Sequence, residues 1–368
     1  MPFRKEPPYI HGTVASSAVV LVNLGTPDAP TRKAVRRYLK EFLSDTRVVE
    51  IPRLVWWFIL NLIILPFRSG KSAKKYRLIW TREGSPLKVH TQKQAALLHD
   101  MLEERGHGDV KVVMAMRYGS PSIPEVLDQL QAQHIDRIAV LPAYPQYSGT
   151  TTGSIYDAVF SHYAGVRNMP ELRMVRNYHD HEAYIIALEE SIQSYWETHG
   201  RGDQLVMSFH GVPKRTLLLG DPYHCECHKT ARLLAERLRL APGEYLVRFQ
   251  SRFGKAEWLQ PYTAPTLQQL ARDGVARVDV VCPGFTSDCL ETLEEISLEA
   301  KHEFEAAGGK EFHYIPCLNE SPTWITALAE ITEQHIIGWP TMLTQSQRDA
   351  RQLDAETGRT NAVAMGAA

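Results

Sequence analysis

One histidine stands where side chains commonly do chemistry. His210 lies in residues 208–213 (SFHGVP), directly after an apolar run that is typical of a buried strand. Imidazole titrates near neutral pH and binds transition metals, so at a strand end His210 is a candidate general base or metal ligand. A single histidine in such a place is also commonly structural, and both interpretations stay open here.

Three glutamates follow one another at helical spacing. Glu291, Glu295 and Glu299 stand at i, i+4 and i+8, which puts them on one face of an α-helix. None of them has a Lys or Arg four residues further on, so the usual pairing on a solvated helix face is missing. Such a row of carboxylates would attract a divalent cation and pass it on, and the alternative is a solvated face without function.

A hydroxyl-rich turn with aromatic residues spans residues 142–154 (PAYPQYSGTTTGS). Backbone N–H groups and hydroxyls before a helix suit a carboxylate or a phosphate, although the sequence has no nucleotide-binding fingerprint. The alternative is a capped turn with its tyrosines in the core. The candidate ligand-binding residues of this turn are Tyr144, Gln146, Tyr147, Ser148 and Thr150.

Residues 224–228 (HCECH) are rich in metal-ligand types. Their C-x-C spacing differs from the C-x2-C of common zinc sites, and no second cysteine pair follows at a matching interval. We interpret the segment as structural, with a metal or cluster role as the alternative. The five cysteines of the chain are typical of free thiols in a reducing compartment.

The elements that must position these residues alternate between strand and helix. Short runs rich in Val, Ile and Leu predict buried parallel strands at residues 18–23, 110–116, 135–141, 204–209, 245–249 and 275–282. Stretches of helical periodicity predict helices at residues 31–43, 91–104, 122–133, 182–198, 229–239, 263–273 and 290–306. An α/β fold with parallel sheets flanked by helices follows from this alternation.

The sequence also carries a weak internal duplication. The first half contains VVLVNLGTP, VVMAMRYGSP and RIAVLPAYPQYSGTTTG, and the second contains LVMSFHGVP, YLVRFQSRFG and RVDVVCPGFTSDCLET in the same order. We therefore predict two similar domains with a ligand cleft between them, at the carboxyl ends of the strands. The predicted boundaries are an N-terminal extension at 1–17, domains at 18–170 and 171–340, and a disordered polar tail at 341–368.

The longest apolar run is residues 54–67 (LVWWFILNLIILPF). At 14 residues it is shorter than the ~20 that a membrane-spanning helix needs. We interpret it as an exposed apolar lip, with Trp56 and Trp57 as amphipathic rings at an interface. A buried core helix or part of a dimer interface is the alternative.

The charge balance argues against a protein that binds nucleic acid through its overall charge. Forty-one Lys and Arg against 42 Asp and Glu give a net charge of −1, so no global field draws the chain to nucleic acid. The N-terminus has no apolar segment after its basic residues, so we expect no signal peptide and a cytoplasmic location.

Together these motifs resemble those of the ferrochelatase family. The similar segments are, in chain order, NLGTP, GSPL, YPQYSGTTTGS, SFHGVP, GDPYH and FTSDCLETLEEI. The resemblance covers about residues 18–330 and implies the chelatase fold, two Rossmann-like domains that hold a tetrapyrrole between them. It also implies a lyase that inserts Fe²⁺ into protoporphyrin IX, the last step of haem synthesis, with both compounds as substrates and no required cofactor.

The resemblance implies roles for individual residues. His210 would take pyrrole protons or contact the metal together with Glu291, while Glu295 and Glu299 would deliver the metal. The run 54–67 would form the lips of the mouth, in peripheral contact with the inner face of a membrane. Besides the turn residues above, the implied porphyrin-binding residues are Leu24, Tyr76, Ser85, Arg117, Tyr118 and Trp258.

Three positions depart from the family pattern. Cys289 stands where many relatives have a second histidine, so His210 and Glu291 must suffice. Leu24 replaces a Tyr or Met, so no axial ligand is expected from that side. Gly149 replaces a cluster cysteine of animal members and no cysteine follows Cys317, so we expect no [2Fe–2S] cluster.

Two other functions remain open at this point. One is a cobalt or nickel chelatase of the same fold that acts on a more carboxylated tetrapyrrole, which the apolar lips disfavour. The other is a noncatalytic haem- or porphyrin-binding protein, which would need the cleft but neither His210 nor the carboxylate row.

Overall fold

The residues that the computed structural model describes, 3, 4, 6 and 9–367, form two parallel sheets of four strands each. The strands are β1 (Ser16–Gly25), β2 (Val110–Tyr118), β3 (Ile135–Pro142), β4 (Glu171–Met174), β5 (Gln204–His210), β6 (Tyr245–Gln250), β7 (Arg277–Val281) and β8 (Glu311–Tyr314). The first sheet has the order β2-β1-β3-β4 and the second has the order β6-β5-β7-β8. Because the same order occurs twice, the predicted α/β fold with two similar halves is confirmed.

Helices pack on both faces of each sheet. The first half has α1 (Arg32–Ser44), α2 (Arg53–Phe58), π1 (Ile59–Ile64), α3 (Leu65–Ile79), α4 (Pro86–Glu104), α5 (Ile123–Ala132) and α6 (Thr152–Tyr163). The second has α7 (Glu182–His199), α8 (Lys214–Leu218), α9 (Tyr223–Arg237), α10 (Thr263–Arg272), π2 (Glu291–Ala300), α11 (Lys301–Ala306), α12 (Pro322–Ile336) and α13 (Gln345–Ala364). With both faces covered, the central strand β1 is buried continuously from residue 18 to residue 22.

Two glycines bring the ends of neighbouring strands together in the same way in each half. A Cβ atom on Gly25 would lie 1.7 Å from the Tyr118 carbonyl oxygen, and one on Gly211 would lie 2.7 Å from the Gln250 carbonyl oxygen. Only glycine permits backbones to approach this closely. The two positions are therefore equivalent, as NLGTP and FHGVP in the sequence indicate.

The two halves share a hydrophobic core. Trp324 on α12 is fully buried, with its ring centroid 6.0 Å from that of Tyr178 and 5.9 Å from that of Tyr184. The same helix packs against α4 of the first half. Strand β4 pairs with β3 through Val140 and Met174, so the first sheet extends four residues beyond the predicted boundary at residue 170.

The tail prediction is wrong for most of its length, because residues 345–364 form α13. Thr344 and Gln347 make a capping box, and the Arg351 guanidinium donates to the Ala15 carbonyl at 2.6 Å. Capping and polar contacts thus hold a helix that has no buried face. The extension at 1–17 includes residues 1, 2, 5, 7 and 8, which lie outside the described part, and β1 begins within it at Ser16.

A single continuous helix carries the apolar run. Segments α2, π1 and α3 join without a break over Arg53–Ile79, and this helix is long and apolar enough to cross a membrane by length and composition alone. The length argument made for residues 54–67 is therefore wrong. Trp57 is 54% exposed, whereas Trp56 is only 9% exposed and packs in the core, which corrects its predicted place at the interface. The other exposed apolar residues are Leu54, Val55, Phe58, Leu62, Ile63 and Phe67.

Candidate active site

His210 ends β5 and lies near two aromatic rings. Its ring centroid is 6.3 Å from that of Trp258 and 6.4 Å from that of Phe285. His210 Nδ1 lies 2.6 Å from the Gly211 carbonyl oxygen, and since a carbonyl only accepts, Nδ1 carries the hydrogen. In the neutral ring, Nε2 then keeps a lone pair that can take a proton or bind a metal.

Gln250, which pairs with His210 in the β5–β6 register, donates to the Glu291 carbonyl oxygen at 2.9 Å. Glu295 on π2 lies near the same place, at the loop that follows β6. Its carboxylate accepts hydrogen bonds from the Ser251 backbone N–H at 2.7 Å and from the Ser251 hydroxyl at 2.5 Å. Burial raises the pKa of Glu295, and Glu291 adds to the rise, although Ser251 and His210 oppose it. The structure therefore brings three of the predicted residues together, a histidine and two carboxylates.

Lys75 reaches the outer end of the carboxylate row from α3. Its Nζ lies 2.8 Å from Glu294 Oε2 and 2.8 Å from Glu299 Oε2. In a π-helix each turn closes over five residues, which places Glu294 and Glu299 beside each other. Glu299 thus has a basic partner, but the partner comes from another helix and not from the position four residues further on.

Arg117 and Tyr118, two of the implied porphyrin-binding residues, are both bonded to one carboxylate, Asp45. Its Oδ2 accepts from Arg117 Nη2 at 2.6 Å, from the Tyr118 hydroxyl at 2.8 Å and from the Ser154 hydroxyl at 2.6 Å. Burial alone would raise the pKa of Asp45, but these bonds and the Arg47 N–H outweigh it and hold the pKa below its usual value. Arg117 and Tyr118 are thus fixed in position before any ligand binds.

An apolar cluster lies between Tyr118 and π2, where Leu293 packs against it. Tyr76 is buried in it, with its ring centroid 6.5 Å from that of Tyr38, and Leu24 packs against the same cluster. Burial, followed by the negative charge of Glu291, raises the pKa of Tyr76 well above its usual value. Ser85 lies behind this cluster, where the Thr26 hydroxyl donates to it at 2.8 Å.

Tyr144 is the member of the 142–154 turn that faces the carboxylates. Its hydroxyl is buried and has no hydrogen-bond partner among the described residues. Burial raises the pKa of Tyr144 well above its usual value, and the charge of Glu291 contributes. An unpaired buried donor at this place is available to a bound ligand.

The other four turn residues contact the second half of the chain or one another rather than His210. Their bonds are Gln146 Nε2 to Thr230 Oγ1 (3.0 Å), Tyr147 N–H to Glu226 (2.6 Å), Ser148 Oγ to Asp221 (3.0 Å) and Ser148 Oγ with Thr150 Oγ1 (3.0 Å). A cavity of about 570 Å³ opens beside this contact and is lined by Tyr147 and Thr150, with Arg47 and Arg176 among its other residues. The turn therefore joins the two halves as well as bordering the site.

The five cysteines are all free thiols. Cys225 of the HCECH segment is exposed and Cys227 is buried. Burial raises the pKa of Cys289, and Glu291 next to it adds to the rise. Across the described ranges, no three His, Cys, Asp or Glu side chains converge in a way that could hold a metal ion.

Several site residues were missed by the sequence analysis. Asp45 and Lys75 stand in no motif, and their partners lie far along the chain. Ser251 directly follows β6 with a positive φ of 67°, and no sequence pattern sets it apart from the other residues of that loop. Phe285 follows β7 as Tyr144 follows β3, so the internal duplication could have indicated it.

Two parallel-sheet halves with a histidine and carboxylates at the strand ends define a chelatase-fold protein. The solved structure of SirB from Bacillus subtilis with Fe³⁺ matches with a TM-score of 0.51 at 12% identity, covering 87% of this chain and 96% of that one. The likeness is one of fold.

The chain belongs to the ferrochelatase family, whose sequence model matches residues 16–336. Ferrochelatase from Janthinobacterium sp. (strain Marseille) is 69% identical over 367 residues, which cover all of both chains. Ferrochelatase from Nitrosomonas europaea is 56% identical over 362 residues, or 98% of each chain. The predicted family is thereby confirmed.

Proposed function

We propose that this protein inserts Fe²⁺ into protoporphyrin IX to form protohaem, with the metal and the porphyrin as substrates. The observation that carries the proposal is the position of His210 near Glu291 and Glu295, to which Gln250 and Ser251 at the end of β6 are bonded. Among the described residues, His210 Nε2 has no hydrogen-bond partner, since the ring bonds through Nδ1. Each Fe²⁺ that enters the ring displaces two pyrrole protons, so the reaction needs a base and oxygen ligands in one place. Family membership supports the same reaction.

His210 serves as the base in this proposal. Its Nε2 accepts the two pyrrole protons in turn and passes each of them to solvent, to which His210 is partly exposed. Trp258 and Phe285 lie beside the imidazole and limit its orientations. Glu291 supplies oxygen during insertion. The porphyrin lies against Leu24, Tyr76, Tyr118 and Tyr144, and Arg117 is held nearby by Asp45.

Glu295 and Glu299 deliver the metal to Glu291 along π2. Hard carboxylate oxygens suit Fe²⁺ before it reaches the pyrrole nitrogens. Gln146, Ser148 and Thr150 act on the porphyrin site through the position of their turn, because their side chains are bonded to the second half or to each other.

An anaerobic assay tests the proposed reaction. We expect the purified protein with protoporphyrin IX and Fe²⁺ to give the absorption spectrum of haem. Insertion of Co²⁺ into a more carboxylated tetrapyrrole, with none into protoporphyrin IX, would instead indicate a cobalt chelatase. Porphyrin binding without any insertion would indicate a noncatalytic binding protein.

We propose a cytoplasmic location for the protein, with peripheral membrane contact through the exposed lip. The exposed apolar side chains of Arg53–Ile79 suit the acyl boundary of a bilayer. The macrocycle of protoporphyrin IX is largely apolar, so a mouth at the membrane surface would collect it there.

The protein works without an iron–sulfur cluster in this proposal. We expect anaerobically purified protein to show no visible charge-transfer band, and Cys225→Ser with Cys227→Ala to retain activity. Alanine is the safer change at Cys227, because that thiol is buried in the core. A band that disappears in the double variant would contradict this expectation.

A further inference from the structure

The carboxylate row of Glu291, Glu295 and Glu299 already holds a cation at its outer end, beside Glu299. Lys75 Nζ bonds to Glu294 Oε2 and Glu299 Oε2, each at 2.8 Å, and Glu294 is buried. A divalent ion held by the same two carboxylates would need these oxygens at about 2.0–2.6 Å. The ammonium and a metal ion therefore exclude each other at this place.

The charge of the lysine is stable in these surroundings. Burial alone would lower the pKa of Lys75, but its bonds to Glu294 and Glu299 outweigh burial and hold the pKa above its usual value. Burial raises the pKa of Glu294, and Lys75 opposes that rise. Because both carboxylates bond to the Lys75 ammonium at 2.8 Å, the row ends in a paired cation rather than in free carboxylates.

Lys75 also belongs to the helix that continues the apolar lip. Arg68 lies seven residues earlier on α3, on the same side of the helix, with its guanidinium carbon 4.3 Å from the ring centroid of Phe253 in the second half. Two cations of one helix thus attach the lip to the opposite half of the molecule.

We propose that Lys75 is a resident cation that closes the outer end of the carboxylate row, and that the metal substrate enters by displacing it from Glu299. The inference rests on the proposed function, in which this row delivers the metal. Lys75 is then a positioning residue that sets the apparent affinity for the metal and leaves the insertion step unchanged.

Metal binding to the porphyrin-free protein tests the proposal directly. Calorimetric titration with Co²⁺ at low ionic strength compares the wild type with Lys75→Met, Lys74→Met, Glu299→Gln and the double variant Lys75→Met with Glu299→Gln. Lys74 is the matched control, because it is exposed on the same helix and has no ion-pair partner among the described residues. Its substitution removes the same charge without opening the row.

We expect Lys75→Met to bind Co²⁺ about tenfold more tightly, which corresponds to ~1.4 kcal/mol. Lys74→Met should stay within about twofold of the wild type, and adding Glu299→Gln should remove the gain. In the insertion assay, Lys75→Met should lower the KM for the metal at unchanged kcat. A thermal melt checks folding, and Lys75→Gln replaces Lys75→Met if the latter does not fold.

Two outcomes would overturn the proposal, and they differ in what else they affect. If Lys75→Met behaves like Lys74→Met while Glu299→Gln alone still weakens Co²⁺ binding, Lys75 has no such role but the row remains the metal route. If none of the variants changes Co²⁺ affinity, the metal route itself is wrong. Haem formation by the wild type tests the proposed reaction separately from both.

Discussion

His210 has a single ring nitrogen available for chemistry, because Nδ1 is bonded to the Gly211 carbonyl. We expect His210→Ala to lower metal insertion by ~10²- to 10⁴-fold, the usual contribution of a positioned base. Porphyrin binding, followed by fluorescence titration, should persist because the apolar walls remain. His228→Ala, which changes an exposed histidine on α9, is the control and should be fully active. Activity of His210→Ala within about tenfold of the wild type would remove His210 from the role of base.

The glutamates of π2 should differ in the kind of effect they have. Glu291→Gln should lower kcat at saturating metal, because it removes an oxygen ligand needed during insertion. Glu295→Gln should chiefly raise the KM for the metal. Initial rates at varied Fe²⁺ or Co²⁺ concentration separate the two effects.

Ser251→Ala provides the control for Glu295, since it removes the hydroxyl bond to that carboxylate and keeps the backbone N–H bond. If Ser251→Ala reproduces the effect of Glu295→Gln, the carboxylate acts by holding the loop after β6. Unchanged kinetics in Glu291→Gln, Glu295→Gln and Glu299→Gln alike would leave the row as a solvated helix face.

At the scale of elements, the lip helix allows its exposed and buried faces to be tested separately. Trp57 and Leu62 are 54% and 61% exposed, so Trp57→Glu with Leu62→Glu should weaken liposome association and porphyrin capture without lowering Tm. Trp56→Glu should lower Tm, because its indole is buried and donates to the Leu43 carbonyl. Sedimentation with vesicles and thermal melts measure both effects.

The opposite pattern would decide against a membrane-facing lip. Loss of the fold in the double variant would support the core-helix interpretation of the run. Unchanged vesicle binding would show that the exposed apolar face serves another purpose.

The central strands and the edge strands β2 and β6 could be predicted from sequence, and the short edge strands β4 and β8 could not. β1 reads as a continuous apolar run because both of its faces are buried. β4 (ELRM) and β8 (EFHY) are four-residue edge strands with polar side chains, which give no such run. Helix α13 was missed for a related reason, since it is held by caps and ion pairs rather than by an apolar face.

At the scale of the whole molecule, the shared core predicts cooperative unfolding. One hydrophobic cluster contains Leu21 of the first sheet, Met207 of the second and Trp324 between them. We expect one calorimetric transition with matching calorimetric and van't Hoff enthalpies. Trp324→Ala should destabilise the protein by about 3–5 kcal/mol and shift that one transition. Two separate peaks would show that the halves unfold independently.

The positions of two candidate residues were predictable from local sequence, His210 at the end of β5 and Glu291 at the start of a helix, and their roles stay predictions. The site was not predictable where a residue acts through a distant partner. Asp45 gathers Arg117 and Ser154, which lie 72 and 109 residues away, and Lys75 pairs with Glu294 across 219 residues. Such contacts depend on how the halves pack, and no local pattern in the sequence records that.

Because Gly25 and Gly211 stand at equivalent places, the two halves of the molecule can be compared position by position. Each glycine lets the neighbouring strand end approach, and the residues before them, Leu24 and His210, stand at corresponding places. The glycine that folding requires at these strand ends thus occurs in both halves, whereas the imidazole occurs only in the second half. One half of the chain shows which features the scaffold needs, and the difference between the halves shows which side chains were recruited for reaction.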